Sequence, residues 1–150
     1  MNTDWLTPVV FEEHVSDEEE KVTVSTRLSG DGIALIEVRG MGSVNGMNAA
    51  AQSFERGFAC LQDDQAIRVL LELNDFQGAP LRAQLQLLDW MLKYQKRFDF
   101  MIIIGGETRA LKIARKVQSW LPFGKRIVFV TALQDGLERL RRRSEGEGGI

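Results

Sequence analysis

The side chains able to do acid–base or covalent chemistry are few, and their spacing assembles no recognised set. The chain holds one cysteine, Cys60, and one histidine, His14. A single cysteine forms no internal disulfide and does not anchor a tetrahedral zinc site. A reactive thiolate needs fixed cations and solvent access. Cys60 has Arg56 and Asp63 near it in sequence, and it reads as a plain, partly buried cysteine on a helix flank. His14 lies in the acid-rich run around Glu12, Glu13 and Asp17, with no nucleophile fixed beside it. No phosphate-loop lysine, nucleophile elbow or metal-binding helix motif occurs. No cofactor, metal or catalytic residue is therefore assigned. An enzyme using Asp75, Glu107 or Cys60 would need those groups to converge with perturbed pKa values, and it is the minority reading.

Ligand recognition has more to work with. Three glycine-bearing loops follow apolar runs: one around Gly42 and Ser43, one through Asn74, Asp75, Phe76 and Gln77, and one through Gly105, Gly106, Glu107 and Thr108. Glycine lets a ligand or partner approach the backbone, and the start of a following helix offers unpaired N–H groups. Short loops of a parallel sheet also need glycine for chain reversal, which is the plainer explanation. Asp75 reads as a turn or capping residue before the helix that Pro80 opens. That helix, expected over 81–98, carries an apolar face of Leu81, Leu85, Leu88 and Leu92, and a second arc of Leu87, Trp90, Met91 and Tyr94. The second arc exceeds one buried stripe and must meet another helix, a second subunit or an apolar ligand.

The elements that position these loops alternate between strand and helix. Val22, Val24 and Thr26 alternate with polar neighbours, then Gly30, Asp31 and Gly32 turn the chain into 33–38, predicting an opening β-hairpin. Helical periods follow over 44–61, 81–98 and 108–121, with a last helix carrying Leu133, Leu137 and Leu140. Between them stand branched apolar runs at 67–73, 100–104 and 127–130. The expected architecture is a single α/β domain: a mixed, mainly parallel sheet of about five strands with about four helices.

Charge divides the chain. Residues 1–20 carry seven acids and no bases, whereas residues 101–150 carry ten bases against five acids. The acidic segment 1–21 reads as a mobile arm outside the domain at 22–143, and 144–150 as a disordered tail. A net charge of −2 provides no field for phosphates, so nucleic acid is an unlikely partner. Arg139, Arg141, Arg142 and Arg143 complement the carboxyl end of their helix. Arg109, Lys112, Arg115 and Lys116 form a basic helix face that permits peripheral membrane contact, but its apolar side is needed to cover the sheet. No apolar run approaches the roughly 20 residues that span a bilayer, and no leader pattern marks the first residues. Cytoplasmic residence is the default expectation.

The motifs Glu37-Val-Arg-Gly40, Val69-Leu-Leu-Glu-Leu-Asn-Asp-Phe76 and Trp120-Leu-Pro-Phe123, set on this order of elements, resemble the SpoIIAA-like family of STAS-like domains. That family is related in fold to anti-sigma-factor antagonists and to lipid-binding CRAL-TRIO domains. The resemblance covers about residues 22–143 and implies a non-catalytic binding or regulatory module. Antagonists of this kind are switched by phosphorylation of a Ser or Thr after the central strand, but no Ser or Thr occurs from Asp75 through Glu107. The expected function is binding of a protein partner or small apolar ligand without that switch, with homodimerisation open. The alternative is a lipid or hydrophobic-ligand carrier or sensor.

Overall fold

A computed structural model describes residues 5–6, 8–105, 109–122 and 124–144. In chain order the elements are β1 (Val9–Ser16), β2 (Val22–Ser29), β3 (Ile33–Met41), α1 (Val44–Phe58), β4 (Ile67–Glu72), β5 (Phe76–Gly78), α2 (Leu81–Lys93), β6 (Phe98–Ile104), α3 (Arg109–Trp120), a 3-10 turn (Gly124–Arg126), β7 (Ile127–Val130) and α4 (Leu133–Ser144). The α/β class and the four helices agree with the sequence reading. The sheet runs β1-β2-β3-β4-β6-β7, with β5 paired to the end of β3. Its first two pairings are antiparallel and the others parallel.

Strand periodicity sorts the core into two layers. Ala34 and Ile36 of β3, Val69 of β4, and Met101 and Ile103 of β6 face α1, α2 and α3. Leu35, Leu70, Ile102 and Ile104 face the other way, towards Leu6 and the α4 residues Leu137 and Leu140. Successive strand residues point to opposite faces, so a strand covered on both must be apolar throughout. One departure from that period lies in β6. Ile67 pairs with Phe98 but Arg68 with Phe100, so Asp99 is an extra residue, a bulge that lets Phe98 and Phe100 enter opposite cores.

Three expectations need correction. The acidic arm expected over 1–21 is, from Val9 to Ser16, a strand paired along its length with β2. Composition concealed its alternation: Phe11 and Val15 pack on the core, and Glu13 on the same face meets Arg56 of α1. Glu12, on the outer face, pairs with Arg27 of β2 at 3.2 Å. Among the described residues the sheet consequently has seven strands rather than about five, β1 and the three-residue β5 being the additions, and the β2–β3 hairpin is preceded by β1. Helices α1 and α2 end at Phe58 and Lys93 rather than at 61 and 98; Leu61 after α1, and Tyr94 and Phe98 after α2, pack on the core and carried the apolar pattern onward into a loop and a strand. Of the expected tail, Ser144 ends α4 and residues 145–150 lie outside the described residues.

The β3–α1 connection depends on a left-handed residue. Gly40 has φ +89°, and a Cβ on it would run into the Lys21 carbonyl oxygen. Its N–H donates to the Asp75 carbonyl and the next N–H to that of Lys21, which ties the loop to both neighbours. Gly40→Ala is expected to lower unfolding free energy by about 2 kcal/mol or more, the left-handed cost plus the clash, as read from urea denaturation. A loss within about 0.5 kcal/mol, the range of neutral surface changes, would contradict the assigned backbone.

Candidate functional site

Between the first face of the sheet and helices α1, α2 and α3 lies an apolar cavity of about 160 Å³. Its floor includes Val24, Ile36, Val69 and Met101, and its roof includes Ala50 and Phe54 of α1, Leu87 and Met91 of α2, and Val117 of α3. Among the described residues no charged side chain lines it. The space persists because small residues stand where helices meet the sheet: Gly46, Ala50, Ala79, Ala83 and Ala114 all line it. At the carboxyl end of the sheet it meets a shallow depression bordered by Lys21, Met41, Gln77 and Pro80. Gly42, Ser43, Ala79 and Ile113 border both, so the depression is the mouth.

Of the candidates read from sequence, Gly42, Ser43, Phe76, Leu87, Trp90 and Met91 line the cavity and Gln77 lines its mouth. Asn74, Asp75, Tyr94 and Gly105 line neither. Gly106, Glu107 and Thr108 lie outside the described residues.

The start of α1, a candidate anion site, already holds a carboxylate. Ser43 caps the helix, its Oγ accepting from the Gly46 N–H at 2.9 Å and donating to Asp17 Oδ2 at 3.0 Å. Asp17 Oδ1 accepts from the N–H groups of Lys21 at 2.8 Å and Val22 at 3.4 Å. Desolvation pushes the Asp17 carboxyl up, but the hydrogen bonds from Val22, Ser43 and Lys21 outweigh it and hold its pKa below the ordinary value. Asp17 therefore fastens the β1–β2 turn to the mouth. The acid run around it had masked this role.

Helix α2 uses both of its apolar arcs. Leu81 and Leu85 are 54% and 45% exposed, whereas Ala83, Gln84 and Met91 are buried. Leu88 and Leu92 of the first arc pack against the core together with Leu87, Trp90 and Tyr94 of the second. Trp90 stacks on Phe54 and Phe58 with ring centroids 5.1 and 5.8 Å apart, and Tyr94 packs edge-on against Phe58. The Tyr94 hydroxyl donates to Glu55 Oε1 at 3.0 Å; burial, then this carboxylate, raises its pKa. Gln84, which the sequence reading passed over, lines the cavity. Its spacing to Leu87 and Met91 (i, i+3, i+7) was the available signal.

The groups considered for catalysis do not converge. Cys60 is exposed, a correction to its expected partial burial, and its thiol points back to the Arg56 carbonyl. It follows α1 at the amino end of the parallel strands, whereas Asp75 follows β4 at the carboxyl end. Asp75 does not cap α2, because β5 intervenes and Pro80 occupies the cap position; it stands exposed, 3.6 Å from Arg39. His14 shares a hydrogen bond with Ser25 on the outer strands. Glu37 and Glu72, adjacent in parallel register, are both buried. Glu37 accepts from Arg39 and Glu72 from the Asn74 N–H.

The basic elements are also engaged. Arg115 lies over Phe129 and Lys116 over Trp120, while Val117 and Leu121 on the apolar side of α3 are buried in the core. Arg141 and Arg142 both pair with Glu138. Among the described residues no helix is long and apolar enough to cross a membrane.

Two predictions follow from this geometry. Trp90→Ala removes a ring packed against four aromatic neighbours, Phe54, Phe58, Tyr94 and Phe98, and is expected to lower unfolding free energy by about 3 kcal/mol; Leu85→Ala, on the outer face, should cost much less. Equal losses in denaturant titrations would contradict the facing of α2. Asp17 contributes stability that is present above the unfolded carboxylate range, about pH 4, and is lost as pH falls through its lower folded value. Below that range Tm should therefore fall more gently in Asp17→Asn than in the wild type, and parallel acid limbs would remove the latch.

No family model and no curated protein matches the chain. Among solved structures it is similar to an uncharacterized protein from the DUF3478 family with a SpoIIAA-like fold, from Shewanella loihica PV-4. The TM-score is 0.61 at 18% identity, covering 87% of this chain and 98% of that one. Likeness at that identity speaks to architecture. Together with the mixed sheet and the four helices, it identifies the fold of this chain as SpoIIAA-like, a STAS-like α/β domain.

Proposed function

We propose that the chain is a non-catalytic binding module that takes a small apolar ligand into the cavity beneath α1, α2 and α3, through the mouth at the carboxyl ends of the strands. The observation carrying this reading is the cavity wall: a space of about 160 Å³, open at its mouth, whose surface is almost wholly apolar and to which no charged side chain among the described residues contributes. An apolar cavity of about 150 Å³ stays dry and binds benzene in an engineered case, so this volume suits a molecule of one ring or a short branched chain. The inner space falls below the 300 Å³ or so at which drug-sized sites begin, and the mouth it meets adds about 480 Å³, so it is the part of the ligand held inside that is compact. Absence of Ser and Thr from Asp75 through Glu107 supports control by occupancy rather than by phosphorylation of that loop.

A second reading, docking of a protein partner, rests on the exposed Leu81 and Leu85, one helical turn apart near the mouth. In that case a partner would read the same end of the sheet. A second copy of the chain is one such partner, and native mass spectrometry across a concentration series would detect it.

Toluene is a suitable first probe because it is uncharged and near the cavity in size. At ten times its Kd it should add about 1.4 kcal/mol of stability, raising Tm by about 3–6 °C for a chain of this length. Ala83→Leu, which fills the cavity from α2, should abolish the rise without lowering Tm in the absence of ligand. A wild type whose Tm does not respond saturably to toluene would defeat the reading, as would an undiminished response in the filled variant.

A further inference from the structure

Resting on that reading, we infer that the ligand is an aromatic compound, seated ring first at the end of the cavity far from its mouth. The mouth is bordered by Ser43 and Pro80, the residues that precede α1 and α2, and both helices run away from it. At 1.5 Å per residue, Phe54 and Phe58 of α1 and Trp90 of α2 stand about 15 Å or more along their helices from the mouth. Phe98 opens β6, beside Ile67 at the amino end of the parallel strands. All four rings line the cavity. Its two ends thus differ in chemistry: Gly42, Ser43, Ala79 and Ile113 border the near end, and a group of aromatic rings the far one.

The geometry among these rings suits one more. Trp90 lies 5.1 Å from Phe54 and 5.7 Å from Phe98 between centroids, at interplanar angles of 56° and 54°, and Phe58 meets Phe98 at 78°. These pairs are tilted or edge-on, the arrangements that ring quadrupoles favour over a face-to-face stack. A further ring entering at this end gains contacts of the same kind, where an aliphatic chain of equal volume gains burial alone. Met91 and Met101 line the same cavity, and thioether sulfur adds favourable contacts to a ring edge. The floor through Val24, Ile36 and Val69 is aliphatic and does not tell a ring from a chain, so discrimination resides at the aromatic end. Because no charged side chain among the described residues lines the cavity, the ring is uncharged, and an ionised substituent belongs at the mouth, in reach of water.

Toluene and methylcyclohexane, similar in size and alike in lacking polar groups, differ in aromaticity and test this directly. Binding titrations of both against wild type and Phe54→Leu should show the toluene-to-methylcyclohexane affinity ratio falling about fivefold in the variant, within the worth of one aromatic pair. Comparing ratios cancels the difference in how the two probes leave water. In the wild type, the ring current of bound toluene should shift the indole N–H resonance of Trp90, assigned through Trp90→Phe, and leave the backbone N–H of Ser43 in place, which keeps the question answerable should Phe54→Leu fold poorly. An unchanged ratio, or toluene that shifts Ser43 and not Trp90, overturns the aromatic inference while the cavity reading stands. If neither probe binds the wild type, the cavity reading itself fails and the inference with it.

Discussion

Strands β3, β4 and β6 are apolar on both faces, so neither face can be left to water, and the rest of the molecule is arranged to satisfy that constraint. Leu35, Leu70 and Ile102 on one side are almost wholly buried, each contributing roughly 1.5–3 kcal/mol by leaving solvent. Their layer is closed by one helix, α4, together with Leu6 near the start of the chain. The opposite face is wider, because β2 and the bulged start of β6 add to it, and three helices share it. Three cylinders on a twisted sheet leave space wherever the residues between them are small. The cavity is located at that join.

Seating α1 sets the depth of this space. The helix approaches β2 at Gly46, where even a Cβ would collide with Val22, and it is capped by Ser43, which is bound in turn to Asp17. One carboxylate therefore fixes the β1–β2 turn, the helix start and the mouth together. An anion held there by neutral donors is strongly retained, and the same occupancy leaves no vacancy for an external phosphate. On the proposed reading, binding energy at this end of the sheet comes from the apolar interior instead.

Much of the fold was legible in the sequence, because period-two and helical patterns are strong wherever one residue type dominates a face. The central strands and all four helices show this. What escaped had weak or competing signals. In β1, the inward Phe11 and Val15 are separated by Glu13, whose charge is matched by Arg56 forty-three positions away, and local composition does not reveal such a match. In α2 the period alone did not say that Leu81 and Leu85 stay exposed while Leu88 and Leu92 join the aromatic arc on the core, because the rings on α1 that receive that arc lie far away in sequence. The site was half legible for the same reason. Its loop glycines and the apolar arc of α2 were visible as residue types, whereas Asp17 gains its meaning only from its partners in three dimensions.

The cavity also has an energetic meaning. Unfilled volume in a core forgoes roughly 24 cal/mol per Å³, so 160 Å³ corresponds to about 4 kcal/mol of packing that a larger residue at Ala50 or Ala83 would recover in part. Against a typical net stability of about 5–15 kcal/mol, that is a considerable sacrifice. On the proposed reading, that deficit is removed by entry of a compact apolar molecule, which restores packing. Ligand binding and completion of the core are then the same process, and the helices over the cavity are tightened by the molecule they enclose.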